Sequence, residues 1–211
     1  MTDPSAETTT EETPAEAPPD VTGEAPAEDS EAVTFTNDDE ANQLIAEDPL
    51  ALLMATLLNQ QLPKSYAFRS PLYLKERMDG KLDAADIAAY DPEAFVVLFS
   101  EDPPLHRAPA PWAKRTQVLC QFLVDNHGGN AEDVWLPAQT GEELLARVST
   151  LPGFTKQKGL EFMAILATLL KFQPPGWKEI AGHYIDRDWY SVSPRPRLYG
   201  KEARLAAGGT E

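Results

Sequence analysis

Two lysines and a glycine stand close together in a short stretch between two helical patterns. The stretch reads Leu151-Pro152-Gly153-Phe154-Thr155-Lys156-Gln157-Lys158-Gly159. Its adjacent proline and glycine end one helix and turn the chain into the next. Such a hairpin directs backbone N–H groups and both lysine side chains outward at a helix N-terminus, where an anion is stabilised. The expected anion is a DNA phosphate, and the candidate contacts are Gly153, Phe154, Thr155, Lys156 and Lys158.

A second polar group follows the most apolar helical pattern of the chain. Residues 50–58 are apolar on nearly all sides, which is typical of a central core helix, and they run into Asn59-Gln60-Gln61-Leu62-Pro63. Amides at the end of a buried helix need partners. They either bond to the free carbonyls of that helix or form the mouth of a polar docking site. Gln60 and Gln61 are therefore further candidate binding residues.

Lys114 and Arg115 form a third candidate binding site, which is basic. A long amphipathic helix is predicted from Pro111 to Asn126, and Gly128-Gly129 ends it. The two basic residues lie in its first turns, away from its apolar stripe. Together with the hairpin lysines they give the chain local positive charge.

The net charge of −16 at first argues against a nucleic-acid partner. The charge is uneven, however. Residues 1–40 hold 13 Asp and Glu and no Lys or Arg, so the rest of the chain carries a net charge of only −3. A basic site on that body is compatible with this composition. The acidic tail either keeps the chain in solution or competes with DNA for the basic site.

Cysteine and histidine usage excludes several classes of site. Cys120 is the single cysteine, so no disulfide framework and no cysteine-based metal site is expected, and the three histidines lack the spacing of metal ligands. The N-terminus lacks the pattern of a signal peptide, and the apolar runs are too short to cross a bilayer. We expect a soluble cytoplasmic monomer, associated with the nucleoid through DNA.

The periodicity along the chain predicts an all-α body of roughly eight to ten short helices. No stretch shows the alternation of a β-strand bounded by turns. We expect a disordered acidic tail over residues 1–37, a helical domain over residues 38–190 and an irregular tail over residues 191–211.

Two of these segments resemble one known family. Leu151 to Lys158 resembles the helix-hairpin-helix of the HhH-GPD superfamily of base-excision DNA repair enzymes. That superfamily includes endonuclease III, the adenine glycosylase that acts on mismatches and 3-methyladenine DNA glycosylase. Leu57-Leu58-Asn59-Gln60-Gln61 resembles the family's apolar helix ending in Gln, whose loop enters the DNA gap left by the flipped base. More narrowly, the chain is similar to a small actinobacterial-type group of proteins within the HhH-GPD superfamily. The resemblance covers roughly residues 40–182.

The resemblance implies an HhH-GPD DNA-glycosylase-like fold that binds damaged double-stranded DNA, with no cofactor beyond a monovalent cation held by hairpin carbonyls. Bifunctional members carry a hairpin Lys that forms a Schiff base, and Gln157 stands at that position. The family's catalytic Asp matches Pro174-Pro175, where there is no carboxylate. The nearest downstream aspartates are Asp186 and Asp188, and Asp186 is the candidate catalytic residue. The second hairpin Gly is replaced by Thr155, which would crowd a phosphate, bond to it or cap the following helix.

Three functions are compatible with the sequence. The first is a base-excision repair protein that is at most a monofunctional DNA N-glycosylase for a damaged base. The second is a catalytically inactive DNA-binding module of the same fold that senses damage. The third is an acidic all-α scaffold that binds another protein.

Overall fold

Helices build almost all of the part of the chain that the computed structural model describes, residues 32–185 and 191–193. Short 3₁₀-helices at Ala131–Val134 and Gly182–Tyr184 flank the last three α-helices. The α-helices are α1 Asp39–Glu47, α2 Pro49–Leu58, α3 Lys64–Ala67, α4 Ser70–Arg77, α5 Ala84–Ala89, α6 Pro92–Ser100, α7 Pro109–His127, α8 Gly141–Val148, α9 Lys156–Leu169 and α10 Trp177–Ala181. The all-α prediction is confirmed for this part of the chain.

Helix α2 is the centre of the core, as its apolar sequence predicts. Every residue from Leu50 to Leu58 is buried, and the helix packs against α1, α4 and α7. The Asp48 carboxylate starts the helix by accepting the N–H groups of Leu50 and Ala51 at 2.9 and 3.0 Å. Capping of this kind satisfies two N–H groups that have no partner inside the helix.

Helix α7 is the longest helix of the described chain, and it packs against α5 and α6. It begins at Pro109, two residues before the predicted start, and Gly128 ends it in the left-handed conformation. The side chain of Cys120 is fully buried on its inner face, and burial raises the pKa of the thiol to about 12. Cys120 is thus a small apolar core residue.

A short two-stranded sheet was not predicted. Strand β1, Ala32–Thr34, pairs antiparallel with β2, Ser191–Ser193, with Val33 opposite Val192. The expectation that no strand forms is wrong here, because three residues are too few to show an alternating pattern. Both strands fall within the segments predicted to be tails.

The residues after β1 also belong to the body. The ring of Phe35 stacks on Phe68 with centroids 4.4 Å apart. The Asn42 side chain accepts the N–H groups of Phe35 and Thr36 and donates to the Thr36 carbonyl. The disordered tail was predicted over residues 1–37. Residues 32–37 belong to the described structure, and residues 1–31 lie outside it. Among the helices described, none has the length and apolar character needed to cross a membrane.

Candidate functional site

The hairpin lies between α8 and α9, as predicted, and residues 149–155 form its turn. Leu151 and Phe154 are buried and anchor the turn in the core, so Phe154 faces inward. Gly153 is exposed and has φ +83°, a conformation that glycine adopts without steric cost. A Cβ atom at Gly153 would lie 2.6 Å from Leu57 Cδ1, so the turn sits directly against the end of α2.

Thr155 caps the second helix of the hairpin. Its backbone is extended, and its hydroxyl accepts the N–H group of Lys158 at 3.2 Å. Among the roles that the sequence left open for this residue, the structure provides the cap. The side chain is exposed at the N-terminus of a 14-residue helix, where backbone dipoles favour an anion.

The two hairpin lysines face in different directions. Lys156 is exposed in the first turn of α9, whereas Lys158 is only 6% exposed. The expectation that both lysines point outward is therefore wrong for Lys158. Side chains two positions apart in an α-helix point about 200° apart around its axis, so one lysine faces solvent and the other faces the core.

The ammonium group of Lys158 binds the C-terminal end of α2. Its Nζ donates to the carbonyl oxygen of Thr56 at 2.6 Å and to that of Asn59 at 3.0 Å. Burial lowers the pKa of the amine, the Glu161 carboxylate acts in the opposite direction, and the charge of Lys64 lowers it further. Lys158 thus joins the hairpin to the segment that carries Gln60 and Gln61.

Glu161 forms the second bond between these segments. Its Oε1 accepts the side-chain amide of Asn59 at 3.0 Å and the ammonium of Lys64 at 2.7 Å. The Lys64 and Glu161 side chains are both 20% exposed, so this ion pair is partly shielded from water. Glu161 and Lys64 were not among the site residues predicted from the sequence. No local sequence pattern marks these two residues, because Glu161 lies about 100 positions from its partners Asn59 and Lys64 in the chain.

The Gln60–Gln61 loop is exposed at the end of α2. Gln61 has φ +60°, which is uncommon for a residue other than glycine. Among the described residues, neither glutamine side chain has a hydrogen-bond partner in the structure. They do not bond to the carbonyls of Thr56 and Asn59 at the end of α2, which accept the Lys158 ammonium. Both amides are available to a ligand.

His106 holds the loop from another side. Its Nδ1 accepts the N–H of Ala108 at 3.3 Å, so the neutral ring carries its proton on Nε2 and donates it to the Gln60 carbonyl at 2.9 Å. Burial lowers the pKa of the imidazole. The hydrogen bond to Gln60 raises that pKa, and the charges of Arg115 and Arg107 lower it. A cavity of about 260 Å³ adjoins the loop, lined by Leu62, Pro63, Tyr66, Pro104, His106 and Arg107.

Trp112 connects His106 to one of the predicted basic residues. The His106 and Trp112 ring centroids are 4.4 Å apart, and the guanidinium carbon of Arg115 lies 4.4 Å from the Trp112 centroid. Arg115 is exposed and belongs to the surroundings of the Gln60–Gln61 loop. Lys114 is exposed as well, but it lines a groove between α5, α6 and α7 beside Val96 and Val118.

The carboxylate expected downstream of the hairpin is absent from the matching position. Pro174 and Pro175 form a turn there, and their carbonyls accept the N–H groups of Trp177 and Gly141 at 3.1 and 2.8 Å. Asp186 lies outside the described residues, so its role stays a prediction. Glu161 is a carboxylate that the described structure does bring to the junction of hairpin and loop.

Metal binding by side chains has no basis in the described residues, where no group of three His, Cys, Asp or Glu could hold an ion. The monovalent cation implied at the hairpin carbonyls stays a prediction. Comparisons with known protein families, with curated proteins and with solved structures gave no match. The basis for a functional assignment is therefore the geometry of the site itself.

Proposed function

We propose that the protein binds double-stranded DNA, preferentially damaged DNA, in the manner of a base-excision repair protein. One observation carries the proposal: the exposed Lys156 and the exposed amides of Gln60 and Gln61 belong to two segments that Lys158 and Asn59 bond directly together. A single duplex can therefore meet both segments. In this proposal the chain acts as a monomer in the nucleoid.

The hairpin supplies the contact to the DNA backbone. Gly153 is exposed and carries no side chain, so a phosphate can approach the main chain. Lys156 and the N-terminus of α9 stabilise the phosphate charge, and the lysine releases a counterion on binding. Arg115, stacked over Trp112, provides a second positive charge beside the loop.

The loop supplies the contact to the bases. The amides of Gln60 and Gln61 can donate hydrogen bonds to base edges and accept hydrogen bonds from them. Contacts to phosphates alone cannot distinguish one base from another. Lys114 lines the groove between α5, α6 and α7, so it contributes where the duplex extends over α7. Residues that read bases and residues that hold phosphates are thus separate in this proposal.

The chemistry is at most that of a monofunctional N-glycosylase. Gln157 is exposed but carries an amide, which cannot form a Schiff base. A glycosylase needs an uncompensated negative charge beside the sugar. Lys64 offsets the charge of Glu161 at 2.7 Å, so Asp186 remains the candidate carboxylate. Without a free carboxylate the protein would be a damage-sensing module.

A binding experiment tests the proposal. We expect salt-dependent binding to a duplex with one abasic site, weakened about tenfold by Lys156→Glu because a phosphate contact becomes a repulsion. Lys171→Glu is the matched control, since Lys171 is exposed just beyond the opposite end of α9. Equal binding by both variants, or no binding by the wild type, would refute DNA binding through the hairpin.

A cleavage experiment separates the enzyme from the sensor. Duplexes carrying different damaged bases are incubated with the protein and then treated with alkali, which breaks the strand at abasic sites. Cleavage that Asp186→Asn abolishes and Glu161→Gln retains identifies a glycosylase with the proposed carboxylate. Binding without cleavage on any lesion identifies the sensor.

A protein-binding scaffold is the second candidate. Its support is the groove of about 660 Å³ between α5, α6 and α7, which is lined mainly by apolar side chains. Val118 in this groove is 48% exposed. Absence of DNA binding by the wild type would favour this function.

A further inference from the structure

We infer that Lys158 is a positioning residue that fixes the Gln60–Gln61 loop against the hairpin. Its side chain crosses from the first turn of α9 to the end of α2. The consequence for DNA rests on the proposed function, because only a fixed loop presents its amides and Lys156 to one duplex at a constant distance. The structural part of the inference concerns the protein alone.

The two carbonyls that Lys158 binds have no partner inside α2. In a continued helix the Thr56 carbonyl would accept the N–H of Gln60, but that N–H bonds to Leu58 instead, at 2.7 Å. The Asn59 carbonyl would accept from Pro63, which has no N–H. The Lys158 ammonium satisfies both acceptors at 2.6 and 3.0 Å. A cation is also favoured at the negative end of a helix.

The buried charge is supported from its own helix. Glu161 lies one turn after Lys158 on α9, and its negative charge stabilises the ammonium. The same carboxylate accepts the Asn59 side chain at 3.0 Å. Helix α9 therefore holds Asn59 by both its main chain and its side chain, directly before the two glutamines.

The loop conformation needs such support. Gln61 has φ +60°, and a non-glycine residue in this region is strained. Lys158 binds the loop from the hairpin side, and His106 donates to the Gln60 carbonyl from the other side. Both use main-chain carbonyls, so the glutamine side chains stay free for a ligand.

Hydrogen exchange tests the inference without DNA. In Lys158→Met we expect the amides of Asn59 and Gln60 to exchange at least about tenfold faster than in the wild type, since bonds from a charged donor are lost. Lys156→Met changes an exposed lysine two positions earlier on the same helix, and it should leave the exchange of the Asn59 and Gln60 amides unchanged. Amides in the middle of α7 are the internal reference. Unchanged exchange at Asn59 and Gln60, or an equal increase in α7, overturns the inference.

A milder variant keeps the test decisive if Lys158→Met does not fold. Lys158→Gln keeps N–H donors but removes the charge, and we expect an increase at Asn59 and Gln60 that is smaller but still confined to the loop. No increase in a folded Lys158→Gln overturns the inference in the same way.

Salt dependence separates positioning from phosphate contact. Lys156→Met should reduce the slope of log Kd against log salt by about 1, as expected for one lost phosphate contact. Lys158→Met should leave the slope unchanged and reduce the preference for an abasic duplex over an intact one. A slope reduced by about 1 in Lys158→Met would make Lys158 a phosphate contact and overturn the inference. If the wild type binds no DNA, the proposed function fails, and hydrogen exchange alone decides whether Lys158 holds the loop.

Discussion

Gly153 combines two constraints that can be measured separately. Its φ of +83° disfavours any side chain, and a Cβ atom would also collide with Leu57. Gly80 has nearly the same φ, +82°, with open space around its Cβ position. Comparing the two positions therefore isolates the contact between the hairpin and α2.

We predict that Gly153→Ala lowers the free energy of unfolding by about 1 kcal/mol more than Gly80→Ala, because overpacking adds to the backbone cost. Denaturant unfolding measures both variants. The control is Gly153→Ala in a Leu57→Ala background, where the cost should fall to that of Gly80→Ala. Equal costs for Gly153→Ala and Gly80→Ala in the wild-type background would contradict the close approach.

His106 makes the loop sensitive to acid. Its folded-state pKa lies below the ordinary value of 6.5, mainly because the ring is buried. As the pH falls below about 7, the unfolded chain takes up a proton before the folded protein does, so stability decreases. The imidazolium also can no longer accept the N–H of Ala108.

We predict that the unfolding free energy falls between pH 7 and pH 5 more steeply in the wild type than in His106→Gln, which has no titrating ring. Denaturant unfolding at several pH values is the measurement. His127→Gln is the control, because it removes a half-buried histidine at the end of α7 and leaves the bonds of His106 to Gln60 and Ala108 in place. Parallel pH profiles of the wild type and His106→Gln would contradict the assignment.

At the scale of elements, Asn42 attaches the segment after β1 to α1. Its side-chain oxygen accepts from Phe35 N, Thr36 N and the Thr36 hydroxyl at 3.0 to 3.2 Å, and its amide donates to the Thr36 carbonyl. One buried residue of α1 thus replaces the neighbouring strand that these backbone groups would otherwise need.

We predict that Asn42→Ala costs about 2 kcal/mol of stability and exposes the amides of Phe35 and Thr36 to rapid exchange. Asn126→Ala serves as the control. Asn126 is exposed and makes one hydrogen bond to the Phe122 carbonyl, so its loss should cost less than about 0.5 kcal/mol. Retained protection at Phe35 and Thr36 in Asn42→Ala would mean that other contacts hold the segment.

The helices could be predicted from the sequence because their signals are local. Asp48 and Pro49 mark the start of α2, and Gly128 marks the end of α7, each within one turn of the feature that it produces. The hairpin and the exposed glutamines were predicted in the same way. The two strands were not, because a three-residue pairing between residues 32 and 193 has no local signal.

The interior of the site could not be predicted, because it depends on distant residues. The bond from Lys158 to the Thr56 carbonyl spans 102 positions, and the bond from His106 to the Gln60 carbonyl spans 46. Whether a lysine in the first turn of a helix faces solvent or the core depends on what packs against that helix. Sequence alone gave Lys156 and Lys158 the same role, and only the packing of α9 on α2 distinguishes them.

For the whole molecule, the distribution of charge is the feature that bears most on the proposed DNA binding. The carboxylates of residues 1–31 account for ten of the sixteen net negative charges. Ala32 pairs with Ser193, so the two residues to which the segments 1–31 and 194–211 are covalently connected are neighbours. Those residues include Arg195, Arg197 and Arg204.

We predict that removing residues 1–31 strengthens binding to duplex DNA several-fold at about 0.05 M salt and less than about twofold at about 0.5 M, because salt screens the repulsion between tail and DNA. A full-length variant with the ten carboxylates replaced by amides should behave like the truncated chain. Unchanged affinity at low salt would leave the tail the role of keeping the chain in solution.

The buried Cys120 gives this chain a reporter of its own opening. The thiolate is the nucleophile that attacks thiol reagents, and with a pKa of about 12 and no exposed surface the native thiol hardly reacts. Labelling then requires the core around α7 to open, so its rate measures how often that opening occurs. A cysteine added at the surface would react first. The slower modification of Cys120 would then give the rate at which the core around α7 opens.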